Sequence, residues 1–297
     1  MILLTGAAGK TGKAIIRSLS EYRLAVKALV FRPEQIQPVK ALGVKQVFAG
    51  DLTNKEIVRN ALQDVDSVYL ICPNIHPEEI KIGKLIIDSA IDAGIRHFVY
   101  HSVLHPQVEA MPHHWKKMRV EELIFASGLP FTILQPTVYM QNILPDLNQI
   151  IASGRYRNPY SVECRISYVD LEDVAQAAAI VLNNSIGIGF QQDHIGATYE
   201  LVGTQAMTQI EIASILSREL SRPVKAESLP SKTWKRKATD AGMSGYQSDT
   251  LVEMFEYYDR YGLVGNPNIL SILLGRPTTS FEAFIERTLQ DGTIIQH

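Results

Sequence analysis

The strongest constraint on this chain is a strand, a glycine turn and a helix at its N-terminus. Residues 2–4 (ILL) form an unbroken apolar run, typical of a short strand buried on both faces of a parallel sheet. Gly6, Gly9 and Gly12 follow at intervals of three, and an apolar helical pattern begins near Gly12. Such glycines permit a tight turn, close approach of a pyrophosphate to the backbone, and close packing of the helix on the strand. The helix start presents N–H groups and a positive dipole end, so the pattern predicts a dinucleotide phosphate site.

This turn has two alternative interpretations. Gly9-Lys10-Thr11 matches the end of a nucleoside-triphosphate loop, but that loop needs a glycine five residues before Gly9, where Leu4 stands. A glycine turn without a ligand is the second alternative. The spacing also differs from G-x-G-x-x-G, because Ala8 takes the place of its second glycine. The residues that we expect to contact the phosphates are Gly6, Ala8, Gly9, Lys10, Thr11 and Gly12.

Composition excludes several classes of partner. The chain has 297 residues, and its net charge of −2 predicts no nucleic-acid or anionic membrane partner. No apolar run approaches the length of a membrane span, and the chain begins directly with a predicted core strand, without a basic leader. Its two cysteines, Cys72 and Cys164, form no disulfide framework, so a cytoplasmic location is expected.

Strands and helices alternate regularly through the first 142 residues. This alternation predicts right-handed crossovers and an α/β fold with a doubly wound parallel sheet of the Rossmann type. Capping boxes predict helix starts at Thr53 with Glu56 and at Thr279 with Glu282. Residues 1–155 are predicted to form the nucleotide-binding domain, to which residues 165–202 return. A glycine- and polar-rich linker is predicted at 183–197. Residues 203–297 are predicted to form a smaller, mostly helical lobe for a substrate or a partner.

Ligands of such sheets bind outside the carboxyl ends of the strands. Arg32 stands at the end of the second predicted strand, twenty residues after Gly12. An acidic residue there would bind the ribose hydroxyl of NAD, whereas an arginine accommodates the 2′-phosphate of NADP. With Lys10 in the loop, this predicts NADP(H) in preference to NAD(H). The alternative is a solvated Arg32 that pairs only with Glu34.

The glycine pattern and the basic end of strand two are followed by an ordered set of further segments: AGDL (49–52), the piece from Lys117 through Glu121 to SGL (127–129), TILQP (132–136), YMQN (139–142), ISYVD (166–170) and GRPTT (275–279). Together they resemble the NmrA-like family of atypical short-chain dehydrogenases, which includes NADP-binding regulators and quinone reductases. One departure is Gln135, where the family commonly has arginine. The resemblance implies that Asp51 and Leu52 lie by the adenine and that Cys72, Pro73 and Asn74 lie by the nicotinamide ribose. It also implies that Lys117 and the segment from Tyr139 to Asn142 line the nicotinamide end.

Short-chain dehydrogenases generally use a serine and a Tyr-x-x-x-Lys pair. Here Ser102 follows the fifth predicted strand, and His113 rather than tyrosine stands four residues before Lys117. Imidazole can deliver a proton at neutral pH, so His113 is a candidate acid; the alternative is a helix-capping or solvated histidine. Lys117 is predicted to contact the cofactor ribose, or else to be a surface lysine paired with Glu121. The histidines at 101, 105, 113 and 114 lack the spacing of a zinc site, so no metal is expected.

Three functions follow from these residues. The first is an NADPH-dependent reductase of a small, electron-poor acceptor such as a quinone, which needs no protein acid because a hydroquinone anion takes its proton from water. The second is an NADP(H)-sensing regulator that acts without turnover on a protein partner. The third, an epimerase or dehydratase, is disfavoured by the missing tyrosine. The expected partners are a small acceptor near the nicotinamide and either a second copy of the chain or a regulatory protein.

Overall fold

The computed structural model describes residues 1–183 and 193–291. Most of the predicted polar stretch at 183–197 therefore lies outside the described residues. The chain divides into two compact units, the first made of residues 1–108, 114–136 and 174–199, and the second of 109–113, 137–173 and 200–297. Residues 137–155, which the sequence groups with the nucleotide-binding domain, fall in the second unit of this division.

A seven-stranded parallel sheet forms the centre of the fold, as predicted. The strands are β1 (Ile2–Leu4), β2 (Val26–Val30), β3 (Gln46–Ala49), β4 (Ser67–Leu70), β5 (His97–His101), β6 (Phe131–Pro136) and β10 (Ala197–Leu201). Their order in the sheet is β10-β6-β5-β4-β1-β2-β3, which places β1 and β4 side by side at the point where the order reverses.

Helices connect these strands and cover the sheet. The helices of the alternating region are α1 (Lys10–Glu21), α2 (Ile36–Lys40), α3 (Lys55–Leu62), α4 (Glu79–Asp92) and α5 (Pro112–Ala126), and α7 (Leu171–Asn183) follows later in the chain. One hydrophobic core lies between α3, α4, α5 and the sheet, where Ile82, Ile86, Val120 and Ile124 pack with Leu70 and other strand residues. The face of α4 that carries Ile82 and Ile86 is therefore buried.

Two predicted helix caps are wrong by one residue. α3 is capped by Asn54, whose Oδ1 accepts from the backbone N–H groups of Glu56 and Ile57, and not by Thr53. The last helix is capped by Ser280 rather than Thr279. Both places carry two adjacent residues able to cap, and the backbone conformation selects the second.

The second unit is mainly helical. It contains α6 (Leu144–Ser153), α8 (Gln209–Glu219), α9 (Ser231–Asp240), α10 (Gly245–Tyr261), α11 (Asn268–Leu274) and α12 (Phe281–Gln290), with two small sheets that pair β7 (Val138–Tyr139) with β9 (Tyr168–Val169) and β8 (Arg155–Asn158) with β11 (Lys225–Ser228). Trp234 is half-buried and packs edge-on against Phe255, and Tyr258 is buried. In the part of the chain that the structure describes, we find no helix with the length and apolarity needed to span a membrane.

Candidate functional site

The glycine turn has the geometry that its sequence predicts. Gly6 adopts the left-handed conformation, with φ of +60°, at the end of β1. Gly12 lies inside α1, where a Cβ would stand 2.5 Å from the carbonyl oxygen of Gly6 and 2.6 Å from Cα of Ala7. Only glycine allows the helix to approach the turn this closely. The first and third glycines therefore have the conformational and packing roles expected of a dinucleotide turn.

The start of α1 is open to a ligand. Gly9 is its N-cap residue, so no capping side chain covers the first helical turn. Gly9 and Lys10 are exposed, whereas Ala8 and Thr11 are half-buried. A helix N-terminus without a side-chain cap presents backbone N–H groups and a positive dipole end to an anion. These residues fit the diphosphate of a dinucleotide.

Thr5 joins the ends of the two central strands. Its hydroxyl donates to the carbonyl oxygen of Ile71 at 2.9 Å and accepts from the Ile71 backbone N–H at 2.8 Å. The glycine turn after β1 is thereby held beside the segment after β4, which begins with Ile71 and continues into Cys72. Cys72 is buried, and burial raises the pKa of its thiol, whereas Pro73 and Asn74 are exposed.

Arg32 lies in the exposed segment that follows β2. Its Nε is 3.3 Å from a carboxylate oxygen of Glu34, and both side chains are largely in solvent. The side-chain oxygen of Gln35 accepts from the backbone N–H groups of Phe31 and Arg32, at 3.1 Å and 2.9 Å, and so holds the backbone that carries the guanidinium. Arg32, the predicted contact of the 2′-phosphate, therefore also pairs with Glu34, and both side chains are exposed to solvent.

The end of β3 carries the two residues that the family resemblance assigns to the adenine. Asp51 is exposed and Leu52 is buried. The Asp51 carboxylate accepts from the backbone N–H of Thr53 at 2.8 Å, and this hydrogen bond is the main cause of its lowered pKa. Asp51 and Leu52 follow β3 on the same edge of the parallel sheet as the glycine turn.

Lys117 is not a surface lysine paired with Glu121, and that alternative is wrong. Its ammonium is 2.7 Å from Oε1 of Glu79 and donates to the carbonyl oxygen of His101 at 3.3 Å. Glu79 is fully buried in the first turn of α4, and Lys117 is 7% exposed on α5. The lysine that the sequence assigns to the ribose therefore lies at the carboxyl end of β5, held by an acid on another helix.

Ser102 and Glu121 form a second buried polar group beside this pair. The Ser102 hydroxyl donates to Glu121, which also accepts from Nε2 of Gln135 at 2.9 Å and 3.0 Å. All three residues are buried. Burial raises the pKa of Glu121, and its hydrogen bonds from Ser102 and Gln135 oppose the rise. The serine predicted to be catalytic thus has a defined partner within the fold.

The remaining predicted residues lie on other segments. His113 is half-buried in the first turn of α5. Tyr139 ends β7 and is half-buried, and Asn142 is exposed in the single turn of 3₁₀ helix at Met140–Ile143. Over residues 1–183 and 193–291, no three metal-ligating side chains are grouped so that they could hold a metal ion.

Buried histidines near the sheet edge are neutral. Nδ1 of His101 is 2.8 Å from the hydroxyl of Tyr69, and burial, assisted by the charge of Lys117, lowers the pKa of His101 to about 3. Burial lowers the pKa of His114 to about 4. At neutral pH both side chains therefore serve as uncharged hydrogen-bonding groups rather than as proton donors.

Sequence reasoning missed Glu79 and the role of Gln135. An acidic residue in the first turn of a helix is ordinarily explained by the helix dipole, so Glu79 carries no separate signal. The departure of Gln135 from the family pattern was visible, but its partner Glu121 lies on a different element. Only the fold brings these side chains together.

A parallel sheet whose first strand ends in an open glycine turn at a helix start defines a Rossmann-type dinucleotide-binding protein. The chain belongs to the NmrA-like family, whose sequence profile matches residues 1–290. It is 29% identical over 289 residues to an NAD(P)H azoreductase of Xenophilus azovorans, covering 96% of both chains. It is also 31% identical over 233 residues, or 77% of each chain, to a (4-alkanoyl-5-oxo-2,5-dihydrofuran-3-yl)methyl phosphate reductase of Streptomyces griseus.

The fold also matches a solved structure of an oxidoreductase. The NADPH complex of the quinone oxidoreductase QOR2 from Escherichia coli superposes with a TM-score of 0.83 at 25% identity, covering 97% of this chain and 100% of that one. The reductases among these relatives support an NAD(P)H-dependent oxidoreductase, which agrees with the function expected from the residues.

Proposed function

We propose that this protein transfers hydride from NADPH to a small, electron-poor acceptor of the quinone or azo class. The open glycine turn at the start of α1 is the observation that carries the proposal, because it can hold a diphosphate on a protein whose relatives are reductases. NADPH, when bound, supplies the hydride. The protein's own residues bind it, orient it and bring the acceptor to it.

The residues of the glycine turn hold the diphosphate in this proposal, with the N–H groups at the α1 start as donors. Arg32 receives the 2′-phosphate and accounts for a preference for NADP(H) over NAD(H). Asp51 and Leu52 lie by the adenine, and Cys72, Pro73 and Asn74 lie by the nicotinamide ribose. Lys117 contacts the ribose hydroxyls, and Tyr139 and Asn142 line the nicotinamide end.

The proton that accompanies the hydride comes from water or from His113. Ser102 is committed to Glu121, and the buried His101 and His114 are neutral, so these three are poor proton donors. A quinone suits such a site because the hydroquinone anion is a weak base that water can protonate. An alcohol or sugar substrate would require a placed acid or base for its carbinol proton.

The test is NADPH oxidation, followed as loss of the absorbance of the reduced nicotinamide, with a panel of quinones and azo dyes. We expect steady consumption with at least one acceptor, and faster turnover with NADPH than with NADH. The Gly12→Ala variant, in which the turn cannot keep its conformation, is the inactive control. Tight NADPH binding without consumption across the panel would overturn the reductase and favour an NADP(H)-sensing regulator.

A further inference from the structure

The ion pair between Glu79 and Lys117 is the most deeply buried one that the structure shows on the nucleotide-binding edge of the sheet. Glu79 has no exposed surface and Lys117 has 7%, yet their charged atoms are only 2.7 Å apart. Burying two charges costs more than their attraction returns unless both are well hydrogen-bonded. An ion pair in such a place is therefore a weak source of stability and calls for another explanation.

The contacts around the pair fix the direction of the lysine ammonium. Glu79 Oε1 accepts from Lys117 and from the hydroxyl of Tyr100, at 2.7 Å and 3.3 Å. A second N–H of the ammonium is directed to the carbonyl oxygen of His101 at 3.3 Å, and the ring of Tyr100 lies 5.4 Å from Nζ. A lysine side chain is a point charge on a flexible stem, so only such surrounding contacts can give it one orientation.

We propose that Glu79 is a positioning residue for Lys117, which it orients so that the third N–H of the ammonium is directed to a ribose hydroxyl of the bound dinucleotide. This inference rests on the proposed function. Glu79 itself touches neither cofactor nor acceptor in this account and acts only through the lysine. Glu79 is the first residue of α4 and Lys117 lies in α5, so the same pair also joins these two helices.

A purely structural ion pair is the competing explanation, and it makes a different prediction. If the pair only joins α4 to α5, its loss should lower stability and leave the affinity of the folded protein for NADP⁺ unchanged. If Glu79 orients Lys117, its loss should weaken binding in protein that is still folded. The two effects should also be coupled, because removing the lysine leaves Glu79 nothing to orient.

The experiment measures NADP⁺ binding by calorimetry and thermal unfolding for the wild type, Glu79→Gln, Lys117→Met and the double variant. Asp88→Asn is the matched control, because Asp88 pairs with Lys84 at 2.7 Å on the exposed face of the same helix. We expect Lys117→Met to weaken binding by about 10-fold or more, as for a lost hydrogen bond from a charged group. Glu79→Gln should weaken it by roughly 3- to 10-fold, the double variant should match Lys117→Met alone, and the control should bind as the wild type.

Two further variants keep the test decisive if Glu79→Gln does not fold. Glu79→Asp retains the charge and should recover part of the lost affinity, and the double variant leaves no unpaired buried charge. Wild-type affinity in Glu79→Gln, or a double variant that shows both losses multiplied, would overturn the role of Glu79 alone. A wild-type protein that binds neither NADP⁺ nor NAD⁺ would overturn the proposed function, and this role with it.

Discussion

Nε2 of Gln135 lies 2.9 Å and 3.0 Å from the two carboxylate oxygens of Glu121, in a buried site to which Ser102 also donates. The family resemblance leads one to expect an arginine at position 135, which would place a full positive charge beside this acid. Here the donors to the Glu121 carboxyl group are neutral, and burial raises the pKa of that group. Gln135 therefore links β6 to α5 by hydrogen bonds without adding a positive charge to the site.

Replacing Gln135 by leucine should lower the free energy of unfolding by about 1–3 kcal/mol, because Glu121 would lose a donor within the core. Urea denaturation measures the change. Gln290→Leu is the control, since Gln290 makes the same kind of contact with Glu286, at 3.3 Å, on an exposed helix face. Equal losses in the free energy of unfolding at the two positions would show that the buried contact stabilises the protein no more than the exposed one.

Adding one methyl group at Gly12 should abolish dinucleotide binding and destabilise the fold by a few kcal/mol. The new Cβ would stand 2.5 Å from the Gly6 carbonyl oxygen, in contact with backbone atoms that cannot move without opening the turn. The control is Gly245→Ala in the first turn of α10, where no atom lies within 4 Å of the added Cβ. There we expect unchanged or slightly higher stability, by up to about 1 kcal/mol. NADP⁺ calorimetry and thermal unfolding measure both effects, and a Gly12→Ala protein with normal affinity would contradict the assignment of the turn.

Replacing Arg32 by alanine should weaken NADPH binding by about 10- to 100-fold, the range for losing a hydrogen bond between charged groups, and leave NADH binding unchanged. Glu34→Gln should act in the opposite direction and favour NADPH by a few-fold, because it removes an anion that competes for the guanidinium. Fluorescence titration with each nucleotide measures the ratio of affinities. Equal losses for NADPH and NADH in Arg32→Ala, or no loss for either, would refute the role of Arg32.

Stability should fall as the pH is lowered from about 6.5 towards 4. Burial lowers the pKa of His97 from 6.5 to about 4, and its Nε2 is 2.8 Å from the hydroxyl of Thr132. Between pH 4 and 6.5 the unfolded chain binds a proton at His97 and the folded chain does not. The stability that His97 contributes is therefore fully present above pH 6.5 and is lost as the pH falls towards 4. The slope is about 1.4 kcal/mol per pH unit for one such group, and His101 and His114 contribute with the same sign.

Urea denaturation at pH 7, 6 and 5 checks this dependence. His97→Asn should reduce the slope of stability against pH by about 1.4 kcal/mol per pH unit. Asparagine can still hydrogen-bond to Thr132, but it does not titrate. If His97→Asn leaves the slope of stability against pH unchanged, the pKa of His97 is the same in the folded and unfolded protein, and the prediction is wrong.

Much of the fold could be predicted from sequence because its signals are local. The apolar run at 2–4, the three glycines and the following helix are contiguous, and alternating strands and helices admit few topologies. Helix caps were less well predicted. At Thr53-Asn54 and Thr279-Ser280 either residue has a suitable side chain, and only the backbone conformation shows that the second one is used.

The candidate site was predictable only in part. The glycine turn and Arg32 could be located because each directly follows a predicted strand, whereas Lys117 was located by the resemblance to the short-chain dehydrogenases. Their partners could not, because Glu79 and Lys117 are 38 residues apart and Gln135 and Glu121 are 14 apart, with no periodicity relating them.

By itself the sequence determined the doubly wound parallel sheet and the glycine turn that joins its first strand to α1. The tertiary structure alone decided which buried acid each polar side chain faces: Glu79 for Lys117, and Glu121 for Ser102 and Gln135. The physical reason is that backbone periodicity and turn chemistry act between neighbours in the chain. A buried charge, in contrast, needs a partner within hydrogen-bond distance. The packing of separate helices and strands decides which residue that partner is.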